Sequence, residues 1–85
     1  MRGILWLETN PKRDLESRVR ELIDHFAEKH GDPIVIHVGK RNMIDRKPFA
    51  MQGKVYQKDV QIIGGTVQKN HMIVYGNFRK GIDAI

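Results

Sequence analysis

GILWLETNPKRDLESRVRELIDHFAEKHGDPIVIHVG, residues 3–39, decides the fold. In its middle, Leu15, Val19, Leu22, Ile23 and Phe26 fall at steps of four, three, one and three, the apolar stripe of a helix with one buried face. The stripe predicts a helix over residues 11–30. Asn10 serves as its N-cap, because a side-chain oxygen there can accept an orphan amide of the first turn. Pro11 suits the first helical position, where no N–H is needed. Asp14–Arg18 and Glu16–Arg20 stand four apart with the acid first, worth only about 0.3–0.5 kcal/mol per pair. Burial of the stripe therefore dominates. His30-Gly31 reads as the stop and Asp32-Pro33 forbids continuation, since glycine takes the left-handed conformation and proline lacks the amide.

On either side of the helix lies an apolar run. Ile4-Leu5-Trp6-Leu7 is too short for a helix and suits an interior strand. Ile34, Ile36 and Val38 alternate with Val35 and His37, the period of a strand. Strand, helix and strand with short connections make a right-handed crossover whose strands run parallel. Residues 40–51 have no clean period. Beyond them the chain turns β-rich, with Val55-Tyr56, then residues 60–63, a Gly64-Gly65 bend, Thr66-Val67, a Lys69-Asn70 turn and residues 72–75. That turn predicts a hairpin between the last two strands. The expected fold class is α+β in a single domain, residues 1–85. It comprises a strand–helix–strand unit followed by an antiparallel β-meander, four to five mixed strands with one helix packed on one face.

One helix covers only one face of such a sheet, yet Met72 and Val74 alternate with Ile73 and Tyr75, apolar on both sides. The second face is covered by a curl at Gly64-Gly65, by Met43, Ile44, Phe49 and Met51, or by a second copy of the chain. Large apolar patches are uncommon on monomers, which favours a homo-oligomer through that face.

The chain of 85 residues carries 15 basic and 10 acidic side chains, net +5, with a pI near 9.8. It contains no cysteine, which removes disulfides, thiolate metal sites and cysteine nucleophiles together. The apolar run after Arg2 ends at Glu8, too early for an export signal, and nothing approaches the roughly 18 apolar residues of a membrane span. The expectation is a cytoplasmic protein without a membrane partner.

Nucleic acid is the commonest polyanion a basic domain meets. In a parallel strand arrangement the ligand crevice lies beyond the carboxyl ends of the strands. Two basic segments are expected there: Lys12 and Arg13 at the helix start, and Lys40 and Arg41 after the second strand. Arg46 and Lys47 extend the surface. These six are the candidate phosphate contacts, with the positive end of the helix between them. Tyr56 and Tyr75 are candidate stacking residues, whereas Trp6 belongs to the core. A phosphate-cradling P-loop is excluded because Ile34 stands where its first glycine would be. Five residues separate His25 from His30, about 140° around a helix, which argues against shared metal ligation. Neither a catalytic residue, a metal site nor a cofactor is expected. Nucleic-acid binding through backbone phosphates is therefore the leading function. A protein-interaction or structural module is the alternative, and a small phosphoesterase using His37 as base with Lys40 and Arg41 is a distant third.

Overall fold

The computed structural model describes residues 1–7, 13–44, 46–66 and 71–79. Strand β1 (Arg2–Leu7) leads to helix α1 (Leu15–Lys29), then β2 (Gly31–Gly39) and a 3-10 turn (Lys40–Met43). Strands β3 (Phe49–Met51), β4 (Val60–Thr66) and β5 (His71–Phe78) complete one mixed sheet in the order β1-β5-β2-β4-β3. The class is α+β, one helix on a five-stranded sheet. No helix among the described residues is long and apolar enough to cross a membrane.

All five stripe residues of α1 are buried, Val19, Ile23 and Phe26 completely. They pack on Ile4, Ile36, Val38, Met51, Val60, Ile62, Met72 and Val74, one face of every strand. Completely burying a side chain of this size contributes about 1.5–3 kcal/mol. That is several times any surface ion pair on α1. Gly31, with φ 134°, turns the chain from helix into β2 as expected, in a backbone region that L side chains rarely adopt.

The helix begins later than the Asn10-Pro11 cue implies. Asp14 is the N-cap: its carboxylate accepts from the amide of Ser17 at 3.0 Å and from Ser17 Oγ at 2.9 Å. Two accepted hydrogen bonds hold the Asp14 carboxyl below its ordinary range, the Ser17 amide first. Asn10, Pro11 and Lys12 lie outside the described residues, as do the Lys69-Asn70 turn and Val67.

Strand order departs from the expected meander in one respect. β5 does not pair with β4; it enters between β1 and β2, antiparallel to both. A strand apolar on both faces is most stable with a neighbour on each side, and β5 is that strand. β1, read as interior, becomes an edge strand, with Leu5 and Leu7 each 59% exposed. β1 and β2 do run parallel, separated by β5 rather than paired with each other. Val55-Tyr56 falls in the connection between β3 and β4 instead of a strand. There the Asp24 carboxylate accepts from the amides of Lys54, Val55 and Tyr56 at 2.8, 3.1 and 3.0 Å. Burial opposes ionisation of Asp24, but these three donors outweigh it and its pKa is lowered.

Candidate nucleic-acid interface

The two faces of the sheet are sorted by ring contacts. Trp6 meets Phe26 at 5.7 Å and Phe78 meets Phe26 at 5.5 Å, so both belong to the helix side. By alternation Gly3, Leu5 and Leu7 of β1, Ile73 and Tyr75 of β5, Val35 and His37 of β2, and Ile63 and Gly65 of β4 face the other way. No described element covers that face.

Pairing aligns these residues in rows. Leu5 stands opposite Ile73, Ile73 opposite His37, and His37 opposite Ile63. One pair further along, Gly3 stands opposite Tyr75 and Tyr75 opposite Val35. His37 and Tyr75 are thus diagonal neighbours, with ring centroids 4.8 Å apart and planes inclined at 56°. Each ring rests on a glycine. A Cβ at Gly3 would lie 2.7 Å from the Tyr75 ring, and one at Gly65 would collide with the His37 ring. Glycine at these two positions lets the rings lie down on the sheet.

The carboxyl ends of β1 and β2 share one rim. Leu7 aligns with His71 and His37 with Ile73, so both strands run out at the start of β5. The 3-10 turn sits at this rim against the first turns of α1, where Arg18 donates to Asn42 Oδ1 at 3.4 Å. The end of β1 and the turn after β2 therefore lie at one rim, while residues 8–12 of the first connection lie outside the described residues. The charges near this rim are unequal, however. Arg13 makes a two-pronged contact with Glu21, both bonds 2.6 Å, and holds the Glu21 carboxyl low. Arg46 meets Glu16 at 3.0 Å and lies over the Phe49 ring, 4.7 Å from its centroid. The helix N-terminus is occupied by its own Asp14 with Glu16 in its first turn, which cancels its attraction for an outside anion.

Lys40, Arg41 and Lys47 are exposed, and no hydrogen bond or ion pair engages them among the described residues. Lys40 follows His37 by three residues, about 10 Å at the rise of a strand. Lys12 lies outside the described residues.

The two tyrosines separate. Tyr75 is half-buried on the open face, whereas Tyr56 packs against the core beside α1, where burial and then Asp32 raise its pKa. His37 shares this face with Tyr75, whereas the sequence offers it only as a strand residue or a general base; its link to Tyr75 depends on the position of β5. His25 and His30 have ring centroids 5.8 Å apart. His30 has left the helix at φ −120°, and both rings join Trp6, Phe26 and Phe78 in an aromatic cluster. No group of three or more metal-binding side chains forms among the described residues.

Comparison with family models, curated proteins and solved structures returns no match.

Proposed function

We propose that the open face of the sheet binds single-stranded nucleic acid. Bases stack on Tyr75 and His37, and phosphates meet Lys40 and Arg41 at the rim. The observation that carries this reading is the ring pair, two aromatics lying on glycines in an uncovered sheet, with exposed cations at the strand ends. Stacking on an aromatic contributes about 1–3 kcal/mol per base and tolerates any sequence, because every base has a π-face. Neither ring offers a hydrogen-bonding fork of the kind that reads base edges in a groove. Affinity should therefore depend little on sequence and strongly on salt.

Titration of labelled single- and double-stranded DNA and RNA at two salt concentrations tests the reading. Tyr75→Ala should weaken single-strand binding about 5- to 150-fold, the stacking contribution converted to affinity, while Tyr75→Phe keeps it. Neutralising Lys40 and Arg41 together should make the log–log salt slope shallower by about 1.4, at about 0.7 per phosphate on a single strand. Absence of binding by the wild-type chain at low salt, or an unchanged affinity in Tyr75→Ala, overturns it. The competing reading is a protein-interaction module using the same face, favoured by the exposure of Leu5 and Leu7. It predicts protein association without any nucleic-acid affinity.

A further inference from the structure

The two edges of the sheet are built differently. β3 has three residues, follows directly on Pro48 and carries Arg46 folded over its Phe49. Shortness, proline and a charged cover are the usual devices that stop an edge from recruiting another strand. β1 has none of these. It is six residues long, contains no proline and keeps an unbroken register against β5. Its single charge is Arg2 at one end. Among the described residues nothing pairs with its outer edge.

We propose that β1 pairs edge to edge and antiparallel with β1 of a second copy of this chain, joining two five-stranded sheets into one. The strand is its own complement. A register centred on Leu5 sets Leu5 against Leu5 on the open face and Ile4 against Trp6 on the helix side. The pairing is isologous, as a two-fold axis requires. Charge selects the orientation: a parallel pair would set the two Arg2 side chains against each other. The antiparallel pair separates them by about six residues, roughly 20 Å. That exceeds the screening length of about 8 Å at physiological salt, so the two Arg2 side chains do not oppose each other. Leu5, 59% exposed in the single chain, gains its own counterpart as a cross-strand neighbour. The association does not depend on what the open face binds.

Sedimentation equilibrium from micromolar to millimolar concentration tests it without nucleic acid. The wild-type mass should rise from 9.9 kDa toward twice that value. Leu5→Lys, an exposed site where far-UV circular dichroism should not change, should stay monomeric over the same range. Ala50→Lys, on the open face of the guarded strand β3, should associate like the wild type. Trp6, the single tryptophan, stands at the seam, so its emission should change on dilution of the wild type and not of Leu5→Lys. A wild-type chain monomeric throughout overturns the proposal, as does a Leu5→Lys variant that associates normally. Association lost in Ile73→Lys but kept in Leu5→Lys assigns contact to the face rather than the edge, and overturns it equally.

Discussion

The face of the sheet under α1 and the face turned away from it are made of similar residue types, yet they are packed in opposite ways. Beneath the helix, Ile36, Val38, Val60, Ile62, Met72 and Val74 are at most 2% exposed and interdigitate with the stripe of α1. On the far side, Gly3 and Gly65 leave gaps beside Leu5, Ile73, Val35 and Ile63, and the two rings lie over them. The first arrangement maximises contact within the chain. The second leaves flat, partly exposed aromatic surface that contributes little to stability. On the function proposed above, folding energy resides on one side of the five strands and binding energy on the other.

Substitutions should reveal that division. Phe26→Ala removes the central side chain of the covered face and its contacts with Trp6, His30 and Phe78. A loss of about 3–5 kcal/mol is expected. For a chain of this size that is a large share of the total stability. The midpoint of urea unfolding measures it.

Acid should act on the same side. Burial, followed by His25, Arg79 and Lys29, lowers the His30 pKa from 6.5, so the unfolded chain takes up this proton first. The stability contribution is complete above pH 6.5 and is lost as pH falls through the folded value. Thermal melts at neutral and mildly acidic pH should show the decline, and His30→Phe should flatten it. His30 Nδ1 is buried without a hydrogen-bond partner, so phenylalanine abandons no bond at that atom.

The smallest effect belongs to the open face. Leu7→Ser, measured at a concentration where the chain is monomeric, should change unfolding free energy by no more than about 0.5 kcal/mol. A loss comparable to that of Phe26→Ala would mean that the two faces are not divided as described.

What could be read from the sequence follows the range of each signal. The stripe of α1 is local and periodic, and each of its five residues is buried. The helix starts four residues later than Asn10 implies, because the Asp14 carboxylate accepts from the Ser17 amide and takes the capping role. Ile4 to Leu7 looks interior because its composition is apolar throughout; exposure of Leu5 and Leu7 depends on β5, more than sixty residues away. Strand polarity was legible from the short crossover, and with it the shared rim. The partners of Arg13 and Arg46 were not, since Glu21 and Glu16 meet them only once the helix start and the segment before β3 are in place. His37 beside Tyr75 is the clearest case of a contact written nowhere locally, because it requires β5 to occupy the centre of the sheet.

That central place has a consequence for assembly. Until residues 71–78 arrive, the opening strand and β2 have no lateral neighbour in common, and the first half of the chain is a helix with two loose arms. The keystone comes late. Contacts this distant in sequence slow folding, since closing β1 onto β5 spans most of the chain. The domain should therefore form as one cooperative event after its distal segment is available, rather than growing stepwise from its beginning.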